Sequence, residues 1–202
     1  MIELQMVALI SIIVSGISFF TLYRSQSALE LGEKMTDLQF RGRQSMEKMA
    51  EEIRLAGYGM AKGDTAFVSA KENDIQFMAD VDDNGTIDTL RFSLSLPNSM
   101  IGTENPDDCI LYKSINGSLS GIPVGTSFTD LTFGYFDEKK VDLFDPLSSD
   151  PKVVKTSDLK KIRLITVSLT GETKKPDEEG KYQKFVLNSS INPRNLLILA
   201  SN

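Results

Sequence analysis

The sequence predicts an α+β protein in which one long N-terminal helix packs on a mainly antiparallel β-sheet. Residues 2–58 contain no proline and change from an apolar run to apolar residues at every third or fourth position, a period typical of an amphipathic helix. Residues 59–202 contain short alternating segments separated by glycine, proline and asparagine, which is typical of strands and turns. We therefore expect three segments: the apolar half of the helix at 1–23, its amphipathic half at 24–58 and a β-rich head at 59–202.

The apolar half of the predicted helix is long enough to cross a bilayer. Residues 2–23 carry one charge, at Glu3, and are otherwise apolar, small or weakly polar. A bilayer core requires about 20 mostly apolar helical residues. A buried core helix is the alternative, but a soluble domain rarely buries a helix that is apolar on every side. We therefore expect a transmembrane segment here.

The amphipathic half presents one apolar stripe to the head and charged residues to solvent. Gly57, followed by Tyr58 and Gly59, is the expected stop signal. We predict that this stripe packs on the sheet. Its members are Leu31, Met35, Leu38, Gly42, Met46, Met49, Ile53 and Ala56.

Alternation and turn residues predict the strands of the head. Asn84-Gly85 is a strong signal for a two-residue hairpin turn, and such a turn would pair Phe77 with Phe92. Residues 121–125 are expected to form a loop, and the polar segment 137–157 is a candidate contact surface. The expected strands are 65–70, 74–79, 89–94, 110–112, 128–136, 162–169 and 182–187.

The hairpin tip has a second interpretation, as a calcium loop. Its oxygen-bearing residues and Gly85 follow the first nine positions of an EF-hand loop. However, Arg91 occupies the twelfth position, where that loop needs a glutamate, and strands rather than helices are expected on both sides. A solvated acidic hairpin tip is the alternative. The candidate calcium ligands are Asp80, Asp82, Asn84, Thr86 and Asp88.

The composition argues against several classes of function. The net charge is −6, whereas a nucleic-acid surface needs clustered lysine and arginine. The sequence has no histidine for a catalytic triad, no phosphate-binding glycine loop and no cysteine/histidine metal set. Cys109 is the only cysteine, so it cannot form an intramolecular disulfide and is expected to be a small strand residue. We expect neither enzymatic activity nor nucleic-acid binding, and no cofactor except calcium.

Both ends of the helix resemble one family. Residues 2–8, Ile-Glu-Leu-Gln-Met-Val-Ala, resemble the start of a mature type IV pilin or pseudopilin. Residues 53–58, Ile-Arg-Leu-Ala-Gly-Tyr, are similar to the end of the first helix in the PilW-like minor pilins, with Arg54, Gly57 and Tyr58 as the motif. The resemblance implies a pilin-like fold. It also implies a head outside the cytoplasm, first at the bacterial inner membrane and then in a pilus at the cell surface.

The resemblance further implies partners and a site for subunit assembly. The expected partners are other minor and major pilins and the inner-membrane assembly platform. Glu3, flanked by Ile2 and Leu4, matches the family glutamate that is thought to meet the N-terminal amine of a neighbouring subunit. That contact would neutralise both charges in an apolar filament core. Alternatively, Glu3 is an N-terminal acid at the membrane interface, where the helix macrodipole favours it.

The sequence departs from the family in two respects. Many pilins close their C-terminal region with a disulfide, which a single cysteine does not allow. A pilin precursor also carries a basic leader ending in glycine, whereas Met1 directly precedes Ile2 here. We therefore expect the native precursor to begin upstream of this position.

Two other functions fit the sequence. One is a minor pseudopilin of the J type in a type II secretion system, which shares the helix and the sheet. The other is a membrane-anchored binding module that uses the 80–88 loop to bind a ligand or calcium.

Overall fold

The computed structural model describes residues 2–118, 120–177 and 179–196, and the side chains of residues 2–4, 8 and 27 lie outside this description. The chain forms two compact units, Met1–Asp37 and Leu38–Asn202. A long helix and a seven-stranded antiparallel sheet confirm the α+β prediction.

Helix α1 runs from Ile2 to Arg54. It ends four residues before the predicted end at Tyr58, because the chain tightens there into three-residue turns. The N–H groups of Leu55 and Ala56 donate to the carbonyls of Glu52 and Ile53 at 3.0 and 3.1 Å. Such tightening satisfies carbonyls that would otherwise lack partners at a helix end.

The sheet is a meander in which every strand pairs with its sequence neighbours, in the order β1 to β7. A 3₁₀ helix, Thr156–Lys161, precedes β6. The strands are β1 Phe67–Lys71, β2 Asp74–Ala79, β3 Asp88–Leu94, β4 Cys109–Ile115, β5 Ile122–Phe136, β6 Leu164–Glu172 and β7 Lys184–Ile191.

Strand β5 begins in the region predicted to be a loop, so the prediction of a loop at 121–125 was wrong. The glycines and proline in this segment suggested a turn, yet β4 pairs with it through two register shifts that accommodate Pro123 and Gly125. A Cβ on Gly125 would lie 2.2 Å from Ser45 Oγ on α1. The glycine therefore permits close approach of the helix rather than a turn.

The second unit is built on the contact between α1 and one face of the sheet. The predicted stripe is buried from Leu38 onward, and Met49 and Ile53 are completely inaccessible to solvent. Ser45 Oγ lies 3.2 Å from the carbonyl oxygen of Val124, and Lys113 Nζ pairs with Glu52 Oε1 at 2.7 Å. The sheet contributes a row of fully buried side chains to the same core, including Phe77, Leu90, Leu111, Phe133, Ile165 and Leu169.

The segment 137–157, predicted to be a contact surface, covers the outer edge of β1. The N–H of Val154 donates to the carbonyl of Ala70 at 2.9 Å, and the N–H of Glu72 donates to Lys152 at 2.8 Å. Tyr135, on β5, donates its hydroxyl to the carbonyl of Lys71 at 2.9 Å. The sheet curls enough for these contacts to join β1 to the C-terminal half of β5. The role of this segment as a contact surface stays a prediction.

Gly42 provides a test of the helix–sheet contact. An added Cβ there would lie 2.6 Å from Cζ of the buried Phe185, whereas an added Cβ at Gly32 meets nothing within 4 Å. We expect Gly42→Ala to lower the free energy of unfolding by about 1–3 kcal/mol through overpacking. Gly32→Ala should raise it by up to ~1 kcal/mol, because alanine is the better helix former. Urea denaturation of the full chain in mild detergent measures both, and equal effects would contradict the packing argument.

Candidate functional site

The N-terminal part of α1 exposes an apolar surface. By length and composition, α1 is the one helix among the described residues that could cross a membrane, with a mean hydropathy of 2.1 in its most apolar stretch, none of which is buried. Arg24 follows this stretch, and its guanidinium lies 4.8 Å from the ring centroid of Phe20. The exposed residues include Met6, Val7, Ile10, Ile13, Ile17 and Phe20, each more than half accessible to solvent. In water such a surface is unfavourable, so its length and composition fit a lipid or protein environment.

The predicted assembly residues lie at the start of this helix. The backbone of Ile2, Glu3 and Leu4 belongs to α1, but their side chains lie outside the described residues. Their role in subunit assembly therefore stays a prediction.

The motif at the end of α1 attaches the helix to the sheet. Gly57 adopts φ 82°, which turns the chain out of the helix, and its N–H donates to the carbonyl of Met78 at 2.8 Å. Two residues after Met78, just beyond the end of β2, the N–H of Asp80 donates to the carbonyl of Tyr58 at 3.0 Å. These two bonds hold residues 57–58 beside residues 78–80, a set that we call the helix-end clamp.

The acidic loop begins at this clamp. Asp80 is buried, and its two carboxylate oxygens accept the N–H groups of Asn84 at 3.1 Å and Gly85 at 2.8 Å. Gly59, with φ 75°, leaves no room for a Cβ, which would lie 2.8 Å from the Cβ of Asp80. The carboxylate of Asp80 therefore caps the loop from inside.

The structure brings Tyr58 and the acidic loop together, a contact that the residue pattern does not predict. The hydroxyl of Tyr58 donates to Asp83 Oδ1 at 3.2 Å, and this hydrogen bond with the Asp83 carboxylate raises the pKa of Tyr58. On the far side, Asn116 Nδ2 donates to Asp88 Oδ1 at 2.7 Å. Both contacts join residues distant in sequence, so no local pattern predicts them.

The hairpin register differs from the prediction by two residues. Phe77 pairs with Leu90 and Ile75 with Phe92, and the connection 80–87 replaces the predicted two-residue turn. The residues with positive φ are Asp83 and Gly85 rather than Asn84 and Gly85, because the Asp80 carboxylate closes a wider loop. A shift of two keeps the same side chains on the buried face, so the predicted faces hold.

Three of the predicted calcium ligands, Asp80, Asp82 and Asn84, accept hydrogen bonds within the loop. Asp82 Oδ2 accepts from Asn84 Nδ2 at 2.8 Å, and Asn84 Oδ1 accepts from the N–H of Thr86 at 2.7 Å. Across the part of the chain that the structure describes, no group of three or more carboxylate, cysteine or histidine side chains is arranged to hold a metal ion. Calcium binding by this loop stays a prediction.

A second polar cluster, at Asp108, was not predicted. Asp108 is completely buried and accepts the hydroxyl of Thr103 through Oδ2, while Oδ1 has no hydrogen-bond partner among the described residues. Burial raises the pKa of this carboxyl. Nearby, Asn105 Nδ2 donates to Glu172 Oε2 at 3.1 Å. The cluster ties the 95–108 loop to β6, and its next residue, Cys109, is the buried strand residue that the sequence predicts.

Comparison with known proteins yields no relative. No protein-family model matches the sequence, and neither the curated proteins nor the solved structures contain a match.

The capping role of Asp80 predicts a difference between neighbouring aspartates. Asp80→Ala removes the acceptor for two backbone N–H groups and should lower the free energy of unfolding by about 1–3 kcal/mol. Asp80→Asn keeps one oxygen acceptor, so its free energy of unfolding should lie between those of the unchanged chain and of Asp80→Ala. The control, Asp82→Ala, alters an exposed side chain and should change stability by less than ~0.5 kcal/mol. Urea denaturation in the presence of a chelator measures all three, and equal losses at positions 80 and 82 would refute the cap.

The calcium hypothesis makes a separate prediction. Millimolar calcium should raise the Tm of the chain, because a ligand that binds only the folded state stabilises it. The rise should disappear in Asp82→Ala. Thermal denaturation with calcium, with magnesium as the control ion, measures it. An unchanged Tm with calcium would end the hypothesis.

Proposed function

We propose that this protein is a minor type IV pilin of the PilW-like group, a structural subunit that takes part in pilus assembly. The observation that carries the proposal is a difference in burial between two parts of a single helix. The N-terminal stretch of α1, within the first unit, is apolar and exposed, whereas in the second unit the apolar stripe of α1 is buried on an antiparallel sheet. A helix with these two characters suits a subunit that is first held in a membrane and then packs among other helices.

The end of α1 supports the proposal independently of its start. The residues that resemble the PilW-like motif have a structural task, since Gly57 and Tyr58 form the helix-end clamp. An alanine at position 57 would be strained at φ 82°. The clamp fixes where the helix leaves the sheet, which a head carried by a helix requires. The resemblance of residues 53–58 is to pilus subunits, so it favours the pilus over the type II secretion pseudopilin.

The proposed mechanism is assembly rather than turnover. The apolar part of α1 would hold the chain in the bacterial inner membrane with the head outside the cytoplasm. Extraction by the assembly platform would then transfer that surface from lipid to the helices of other minor and major pilins. Both environments are apolar, so the transfer exposes little apolar surface to water. Glu3 would pair with the N-terminal amine of a neighbour and set the register between subunits.

A comparison of filaments with membranes tests the proposal. The chain is expressed in its native host as a precursor with a prepilin leader, and mass spectrometry quantifies it in sheared surface filaments and in inner membranes. We expect a small, reproducible amount in filaments. Glu3→Ala should reduce that amount at least tenfold without changing the amount in membranes, because it removes only the assembly contact.

The control is Glu33→Ala, which changes the same residue type at an exposed position on the same helix and should leave incorporation unchanged. Normal incorporation of the Glu3→Ala chain would refute the assembly role of Glu3. Abundant membrane protein with none in filaments would refute the pilus proposal and favour the secretion pseudopilin or an anchored binding module.

A further inference from the structure

The 95–108 loop depends on hydrogen bonds for its attachment to the head. At its base, the N–H of Ser95 donates to the carbonyl of Ile110 at 2.8 Å. Farther along the loop, the side chains of Leu96 and Ile101 are 80% and 99% exposed. Apolar burial therefore does little to hold this part of the loop, because the apolar contribution scales with the area removed from water.

The hydrogen bonds connect the loop to the end of β6 and to the residues that follow it. The N–H of Glu104 donates to the carbonyl of Lys174 at 2.8 Å, and Asn105 Nδ2 donates to Glu172 Oε2 at 3.1 Å. From the other side, the hydroxyl of Tyr182 donates to the carbonyl of Glu104 at 2.8 Å. We call these three bonds the loop joint.

Asp108 is connected to the loop joint through Thr103. Its Oδ2 accepts the hydroxyl of Thr103, and the Thr103 oxygen accepts the N–H of Asn105 at 3.1 Å. Asp108 is completely buried, and its Oδ1 has no hydrogen-bond partner among the described residues. Burial of a charged carboxylate with an unpaired oxygen is unfavourable, whereas the neutral carboxyl avoids the desolvation of a charge.

The groups around Asp108 give its ionisation a consequence for the loop joint. The titratable and charged groups that face it are Asp107 on the loop, Cys109 on β4, Glu172 on β6 and Lys174 beyond β6. Two neighbouring lysines already have partners, since Lys184 lies 3.5 Å from Glu172 and Lys175 lies 2.9 Å from Glu104. An ionised Asp108 therefore adds a second negative charge on the loop side of the joint, facing Glu172 on the strand side.

The direction of the pH effect follows from the pKa of Asp108. Burial raises this pKa above its ordinary value, and the hydrogen bond from Thr103 and the charge of Lys174 oppose the rise only in part. In an open loop the carboxyl would be solvated and would titrate near the ordinary aspartate pKa of about 4. The stability that the proton gives to the closed loop is therefore fully present below that pH. It is lost as the pH rises through the raised pKa of the closed state.

We propose that protonation of Asp108 controls whether the 95–108 loop is closed on the end of β6. With the proton in place, the loop joint holds and the exposed side chains Leu96 and Ile101 are presented on a fixed loop. Loss of the proton leaves a buried charge opposite Glu172, and the loop opens to solvate it. The device lies entirely within the second unit, so it does not rest on the proposed function.

Hydrogen exchange of the full chain in detergent micelles tests the device. The readout is the protection factor of the Glu104 N–H, which compares its exchange rate with that of an unstructured chain at the same pH. We expect this factor to fall at least about fivefold from about pH 4 to about pH 8, because one unit of pKa difference between open and closed loops changes their ratio tenfold. The N–H of Val154, bonded to Ala70 at the β1 edge, should change by less than about twofold. No fall at Glu104, or an equal fall at Val154, would overturn the proposal.

Matched variants assign the effect to one carboxyl. Asp108→Asn keeps the shape of the side chain but carries no charge, so the protection factor of Glu104 should become nearly independent of pH. Asp107→Asn removes the same charge from the exposed neighbour and should leave the fall in place. A folded Asp108→Asn chain, checked by its urea midpoint, that still shows the full fall would refute the role of Asp108.

A third variant tests the proposal even if Asp108→Asn does not fold. Thr103→Val removes the hydroxyl whose hydrogen bond favours the ionised form of Asp108. The fall in protection of the Glu104 N–H should then extend to higher pH. A purely structural role of Thr103 would lower protection equally at every pH, and that result would contradict control by the Asp108 proton.

Discussion

The second unit depends on close approach between α1 and the inner face of the sheet. Small residues permit that approach. Gly42 on the helix faces Phe185, and Gly125 on β5 faces Ser45. With glycines at the crossing, side chains such as Met49 and Ile53 are buried completely, and complete burial of one such side chain stabilises a fold by about 1.5–3 kcal/mol. The Lys113–Glu52 pair lies in the same interface and adds directional specificity that apolar contacts lack.

A glycine in the middle of a helix normally weakens it by about 0.5–1 kcal/mol relative to alanine. At Gly42 this local cost is offset by packing, whereas at Gly32 no contact requires the absence of a Cβ. The two positions therefore have the same local preference and different tertiary consequences. Sequence alone does not distinguish them, because the deciding neighbour, Phe185, lies on the last strand.

The strength of local signals explains which features the sequence predicted. The helix stripe and the alternation of β2 and β6 reflect burial on one face. One-sided burial produces a periodic pattern of apolar residues that the sequence shows directly. The register of the β2–β3 hairpin was wrong by two because a buried carboxylate, Asp80, outweighed the Asn84-Gly85 turn signal. The start of β5 was wrong because its glycine and proline serve helix approach and bulged pairing. In the candidate site, Asp80 was singled out as a ligand, yet its capping bonds and the Tyr58 contact need the folded chain.

Coverage of the outer edge of β1 by the 137–157 segment limits how copies of this chain can associate through the sheet. If both edges were open, copies could join end to end through alternating edges, a heterologous contact that does not close. Covering β1 with the 137–157 segment removes one half of that contact. Natural proteins commonly protect an edge strand by covering it with a loop, and here a long polar connection provides that cover.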